Sequence, residues 1–200
     1  MRVGGAYGGQ QRRIRFQLCS GAAADLAELP TSLPSGDVRY ELDDGRLVIL
    51  APPGHTYGRR QAKIVQYLGS DAEDRGLGEV CAEVGIVLRR KPDRVVGADA
   101  AFNLTASLPV RRSKEGYLET IPEIVVEVRS KNDANNEVRA KMEEYFAAGV
   151  QLVWVLDPDD KTVAAHQPGL KVSLFTCSDS LSTPLLPGFS VPVEKLVAGS

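Results

Sequence analysis

Hydrophobic and polar positions fall into a regular order between Tyr40 and His166. Val38 to Leu42 and Arg46 to Leu50 read as strands joined by Asp43-Asp44-Gly45, a strong turn signal, and predict a β-hairpin. After Pro52-Pro53-Gly54, the residues Ala62, Ile64, Val65 and Leu68 predict an amphipathic helix from His55 to about Leu68, closed by Gly76 and Gly78. Glu79 to Leu88 and Arg94 to Leu104 read as strands separated by a Lys-Pro-Asp turn, and residues 105 to 120 as a polar loop. Ile124 to Val128 is then a short β-branched run, and Leu152 to Leu156 is another. Between them Val138, Met142, Tyr145 and Phe146 recur at helical spacing up to Gly149, a natural residue for ending a helix. This strand, helix, strand unit calls for a parallel, right-handed crossover. Short strands around Val163 to His166 and Val172 to Phe175 follow, and Pro184 to Pro192 reads as an irregular closing segment. The predicted class is α/β, a mixed sheet with one helical crossover.

Two charges break this pattern. Glu127 lies inside the first β-branched run, where an isolated carboxylate costs several kcal/mol unless a cation or donors compensate it. Period-two geometry puts Ile124, Val126 and Val128 on one face and Val125, Glu127 and Arg129 on the other. Lys141 falls within the apolar stripe of the helix, three residues after Val138 and four before Tyr145, so it faces the sheet within reach of Glu127. Asp99, in Val95 to Phe102, is a second carboxylate among small and apolar residues. Two such acids can share a hard divalent ion, which needs neither histidine nor cysteine. A lysine beside that ion would complete a site for phosphodiester hydrolysis by orienting or helping to deprotonate water and by stabilising charge on phosphorus. The same residues also suit a structural ion pair between Glu127 and Arg129 or Lys141, with Asp99 capping a turn. Spacing does not separate the two.

Composition narrows the setting. Two hundred residues, 43% hydrophobic and 25% charged, are enough for one domain with a core. Gly, Ala, Ser and Pro enrich residues 1–36, read as an N-terminal extension whose first ten or so residues form a flexible tail, and 37–200 as the domain. No apolar run approaches the length of a membrane span and no signal-peptide core is visible, so a cytoplasmic protein without membrane association is expected. Cys19, Cys81 and Cys177 are unpaired in spacing and read as reduced thiols, and with two histidines there is no zinc framework. A net charge of −2 argues against a strongly basic nucleic-acid binder. Basic groups do cluster at Arg12, Arg13 and Arg15, at Arg59, Arg60 and Lys63, at Arg89, Arg90 and Lys91, and at Arg111, Arg112 and Lys114, where convergence could hold a phosphate backbone.

The order Tyr40-Glu41-Leu42-Asp43-Asp44-Gly45, Ala98-Asp99, Pro122 to Ser130, Lys141 with Tyr145, Ala148-Gly149-Val150 and Trp154-Val155-Leu156-Asp157-Pro158 resembles the Uma2 family, formerly DUF820, from about Tyr40 to the C-terminus. The resemblance implies membership of the PD-(D/E)xK superfamily. It thereby implies a restriction-endonuclease-like mixed sheet core flanked by helices, and an endonuclease that uses Mg²⁺ or Mn²⁺ on DNA. Carried over by residue, Asp99 and Glu127 match the acids that hold the metal. Lys141 matches a lysine migrated to the helix, because Arg129 stands where the superfamily lysine is expected. Arginine is permanently charged, so Arg129 would bind phosphate. Glu41 matches a further glutamate ligand, and Ala98 departs from the proline that normally precedes the aspartate. Nucleases of this fold often act as dimers, so a homodimer is an expected partner state, though no dimer face is visible. Members that keep the fold without activity leave a binding or interaction module as the alternative, and RNA as another substrate. Trp154 reads as core, and Tyr145 as a residue that orients the lysine or packs.

Overall fold

The computed structural model describes residues 14–17, 23–30, 32–33, 36–37, 39–50, 54–108, 116–129 and 135–198. Its elements are β1 (Ile14–Gln17), α1 (Ala23–Ala27), β2 (Ser32–Leu33), β3 (Gly36–Asp37), β4 (Arg39–Asp43), β5 (Arg46–Leu50), α2 (His55–Leu68), β6 (Gly78–Arg89), β7 (Arg94–Leu104) and β8 (Ile124–Val128). There follow α3 (Asn135–Ala148), β9 (Leu152–Asp157), β10 (Thr162–His166), β11 (Ser173–Thr176), β12 (Ser180–Ser182), β13 (Ser190–Pro192) and α4 (Val193–Val197). Nine strands form one mixed sheet in the order β1-β5-β4-β7-β8-β9-β10-β11, with β6 also on β7. Among the described strands of this sheet, β8 pairs with β9 in parallel and the other pairings are antiparallel, and α3 is the crossover between β8 and β9. The expected α/β class and crossover are therefore present.

Period two explains β8. Ile124, Val126 and Val128 enter one core with Trp154, Phe102 and, from α2, Ile64 and Leu68. Val125 enters the opposite core with Val153, Tyr145 and Val150, against which Val138, Met142 and Phe146 of α3 also pack. The helix ends at Gly149, whose φ of 113° favours glycine, and the Gly149 and Val150 amides donate to the Tyr145 carbonyl at 3.2 and 3.0 Å. The apolar stripe of α2 continues past Leu68 into a π-helical turn, Gly69–Glu73, before Gly76 reverses the chain at φ 70°.

The sheet forks beside β7. β6 pairs with β7 over nearly its whole length and fills one edge. The other edge is shared: β4 pairs with β7 at Leu42 and Val95, and β8 pairs with it from Ala100 to Phe102. Gly97 and Asp99 lie in the gap between these two strands, where backbone groups need other partners. The core assignment also slips there, Val96 and Ala98 packing on the α3 side and Ala100 and Phe102 on the α2 side. Asp99 is thus held in a strand at a discontinuity of the sheet and does not cap a turn.

Two further sequence expectations change. The segment from Pro184 to Pro192 is not wholly irregular: β12 pairs with β13, α4 follows, and Leu186, Phe189, Val191, Val193 and Leu196 are buried. Of the basic clusters, Arg89 is paired with Asp44 and Arg90 with Asp93 and Glu119, both arginines remaining exposed, Arg59 and Lys91 are exposed as well, and Arg60 is buried. Arg12, Arg13, Arg111, Arg112, Lys114, Cys19, Pro52 and Pro53, the proposed tail and the side chain of Arg15 lie outside the described residues. Among the described residues, no helix is long and apolar enough to cross a membrane.

Candidate active site

Four elements bring charge to the fork. β4 supplies Glu41, β7 supplies Asp99, and β8 with α3 supplies Glu127 and Lys141. Extending the register of β7 and β8 by one residue from Ala100 and Val126 sets Asp99 opposite Glu127. Lys141 Nζ lies 2.9 Å from Glu127 Oε1 and 3.0 Å from Oε2, and 3.9 Å from Glu41 Oε1. It also donates to the Gly97 carbonyl at 2.9 Å, while the Gly97 amide donates to Glu41 Oε1 at 3.1 Å. The side chains of the site therefore take over the hydrogen bonds that a neighbouring strand would have made.

Each main carboxylate is held by a tyrosine. Tyr145, one turn beyond Lys141, donates to Glu127 Oε1 at 2.6 Å, and the Lys141 ammonium lies over its ring, 5.9 Å from the centroid, so the tyrosine meets both partners of the ion pair. The hydroxyl of Tyr57 donates to Asp99 Oδ1, and the Val128 amide donates to Oδ2 at 2.7 Å. Gln61, one turn after Tyr57 on α2, donates to the Asp99 carbonyl at 2.8 Å. Arg39, Glu41, Tyr57, Asp99, Glu127 and Lys141 all line one cavity of about 60 Å³.

Arg129 has a different orientation from the ion pair considered for it. Its guanidinium pairs with Asp157 Oδ2 at 2.9 Å, although it still lines the cavity and an adjoining groove beside α3. Glu123, the acid of the nearby Pro-Glu pair, sits at the far end of β8, where it accepts from the Leu104 amide at 2.8 Å and from Ser107. It is a structural cap and not a member of the site.

Burial raises the Asp99 carboxyl above the usual range, against the opposing pull of Lys141 and the donors Tyr57 and Val128. Burial likewise pushes Glu127 up to about 7, with Lys141 opposing and the charge of Asp99 reinforcing the shift. Burial works against the Lys141 ammonium, but Glu127, Glu41 and Asp99 outweigh it and raise its pKa. Lys141 therefore stays protonated near neutrality. That favours an electrostatic role and removes deprotonation of water from the tasks open to it in this state.

Among the described residues, Glu41, Asp99 and Glu127 face the ammonium of Lys141, Arg129 is paired with Asp157, and Arg39 reaches Glu83 only loosely, at 3.4 Å. This excess of negative charge in a small cavity fits a divalent cation, and both Asp99 oxygens keep one lone pair beyond their described donors. Among the described residues no three histidine, cysteine, aspartate or glutamate side chains form a ready-made cage. Asp99 and Glu127 would thus supply a minority of the ligands, with water and substrate oxygens supplying the rest, as is usual for Mg²⁺.

Sequence reasoning found Asp99, Glu127, Lys141 and Glu41, and the structure brings these four together. It missed Tyr57, which reads as one more apolar position on α2, and Arg39. The alternation Arg39, Tyr40, Glu41 was a usable signal for the latter, because it places Arg39 and Glu41 on one face of β4.

Comparison with known proteins bears on the fold and the family. A protein from Anabaena variabilis, described as "a putative nuclease belonging to DUF820", superposes with a TM-score of 0.71 at 16% identity, covering 88% of this chain and 97% of that one. At that identity the likeness is one of fold. No curated protein matches the chain. The sequence model of Uma2, described as "Putative restriction endonuclease", matches residues 23–194, and the chain belongs to the Uma2 family.

Proposed function

We propose that the protein is a metal-dependent endonuclease that hydrolyses DNA phosphodiester bonds at the cavity in the sheet fork. The observation that carries this reading is the meeting of Lys141 with Glu127 and Asp99 in one small cavity, although the lysine comes from a helix and not from the strand of the acid. The family description and the fold are consistent with it.

Asp99 and Glu127 would hold Mg²⁺ or Mn²⁺, with Glu41 available as a further oxygen donor. The ion would supply Lewis-acid polarisation of the phosphoryl oxygen. Tyr57 and Tyr145 fix the carboxylate rotamers, so the ligand oxygens are placed before substrate arrives. Lys141 would keep a positive charge beside the phosphorus and stabilise the charge that develops there. Arg129, partly committed to Asp157, would contribute phosphate attraction from the rim of the cavity.

A second reading has its own support. The Glu127 oxygens already accept bonds from Lys141 and Tyr145, as expected of a structural ion pair in an interaction module on the same fold. Incubating supercoiled and single-stranded DNA with the protein and Mg²⁺ or Mn²⁺ separates the two. Metal-dependent nicking that is lost in Asp99→Asn, Glu127→Gln and Lys141→Met supports the enzyme. Absent cleavage, or equal cleavage by all four proteins, leaves the module.

A further inference from the structure

Arg39 is the cation of this cavity that the hydrolytic arrangement leaves unused. It stands two residues before Glu41 on β4, so both side chains project from the same face of the strand toward the fork. It lines the cavity together with Asp99, Glu127 and Lys141, and its charge is felt at both Asp99 and Tyr57. Its bonding is incomplete. One terminal nitrogen reaches Glu83 Oε1 at 3.4 Å, the outer limit of a hydrogen bond, across a pair whose side chains are 27% and 41% exposed. The Nε atom is buried and has no acceptor among the described residues.

A guanidinium has a rigid fork of donors that matches two oxygens of one phosphate. With a single long contact among the described residues, the terminal nitrogens of Arg39 keep donors that a ligand entering the cavity can take. The neighbouring carboxylates define which ligand. Glu41, Asp99 and Glu127 would repel a free anion, but a phosphodiester drawn in by a cation held on Asp99 and Glu127 would bring its non-bridging oxygens to the Arg39 side of the same cavity. Glu83 acts meanwhile as a placeholder. It sits on β6 with φ 48°, at the point where the pairing with β7 skips Asp99, and its exposed carboxylate can surrender the arginine at little cost.

From this geometry we infer that Arg39 is a phosphate-binding residue, which leaves Glu83 for the non-bridging oxygens of the DNA phosphodiester in the cavity. The inference rests on the endonuclease reading for its substrate, but its test does not require cleavage.

The probe is a short fluorescein-labelled DNA duplex, titrated by anisotropy with Ca²⁺ in place of Mg²⁺, so that an oxygen-liganded cation is present while binding is read apart from cleavage, over a range of salt concentrations with wild type, Arg39→Gln, Arg39→Lys and Glu83→Gln. Arg39→Gln is expected to weaken binding about tenfold and to lower the slope of log K against log salt by about one. Arg39→Lys keeps the slope and recovers part of the affinity. Glu83→Gln binds as tightly as wild type or more tightly, because it removes the competitor. Melting temperatures identify a structural role: if Arg39 exists only to pair with Glu83, the two glutamine variants lose stability equally and neither alters binding. That pattern would overturn the inference, as would a wild type that does not bind the duplex or an Arg39→Gln variant with unchanged affinity and slope. Cleavage in Mg²⁺ is read separately. A wild type that binds through Arg39 and cuts nothing removes the hydrolytic reading and keeps the arginine, whereas a cutting enzyme should show Arg39→Gln mainly as a raised KM.

Discussion

Replacing Lys141 by methionine removes the charge and keeps most of the volume, and the structure sets the size of the effect. Lys141 bridges Glu127, approaches Glu41 and satisfies the Gly97 carbonyl, all within a largely buried cluster. Removing one partner of a buried ion pair costs about 3 to 5 kcal/mol when the other charge stays unmatched. The penalty here is limited because the carboxylate can escape by taking up a proton. Glu127 already titrates near 7 with Lys141 present, and loss of the lysine raises it further. At pH 6 the variant therefore folds with protonated Glu127 and loses little beyond the hydrogen bonds. At pH 8 it must retain that proton against the solution or bury an unpaired anion, so the loss approaches about 3 kcal/mol. For a chain of this length that is a fall in Tm of about 6 to 12 °C relative to wild type. The sign follows from linkage: above the ordinary glutamate pKa the folded variant binds more protons than the unfolded chain, so its stability falls as pH rises. Differential scanning fluorimetry or urea unfolding in EDTA at pH 6 and pH 8 reads both values. The double variant Lys141→Met with Glu127→Gln should recover a large part of the loss at pH 8. A variant as stable as wild type at pH 8, or a deficit that does not change with pH, would refute the claim that Lys141 balances buried carboxylates.

In metal-free buffer, wild type should lose stability relative to Glu127→Gln as pH rises from about 4.5 to 7, by on the order of 3 kcal/mol, because the folded pKa lies above the unfolded one. Parallel denaturation curves for the two proteins across that range check it. Tyr57→Phe deletes the hydroxyl donor to Asp99 and should cost about 1.5 to 3 kcal/mol at neutral pH with no change in secondary structure by circular dichroism. Gly78→Ala would set a Cβ 2.1 Å from the Asn103 carbonyl oxygen, a backbone atom that cannot rotate away, and should destabilise by about 3 kcal/mol in urea titration. Gly58→Ala meets nothing within 4 Å in the first turn of α2 and should stabilise by about 0.5 kcal/mol in the same assay.

The β8, α3, β9 unit was legible because its signals are local. A β-branched strand, a 3.6-residue stripe and a terminating glycine can each be read within a dozen residues, and against them Glu127 and Lys141 stand out as misplaced charges. Asp99 was legible as a charge in a buried strand, but the break in the sheet beside it was not. The fork that exposes Gly97 and Asp99 depends on β4 and β8 sharing one edge of β7, a pairing between distant segments that no local pattern carries. Tyr57 was obscured for a related reason: an aromatic on the inward stripe of a helix looks like core, and its hydroxyl gains meaning only once Asp99 is known to lie beneath it. At the C-terminus, β13 and α4 span three and five residues, too short for periodicity to register, and their burial comes from packing under α2 and against the far strands.

Calorimetric titration of Mn²⁺ into metal-free protein at pH 8 tests most directly whether Asp99 and Glu127 together hold a divalent ion. One site per chain is expected in wild type, abolished or strongly weakened in both Asp99→Asn and Glu127→Gln at unchanged fold. Absence of Mn²⁺ binding to folded wild type, or binding that survives in both variants, would contradict joint ligation and leave the cluster as a structural ion pair.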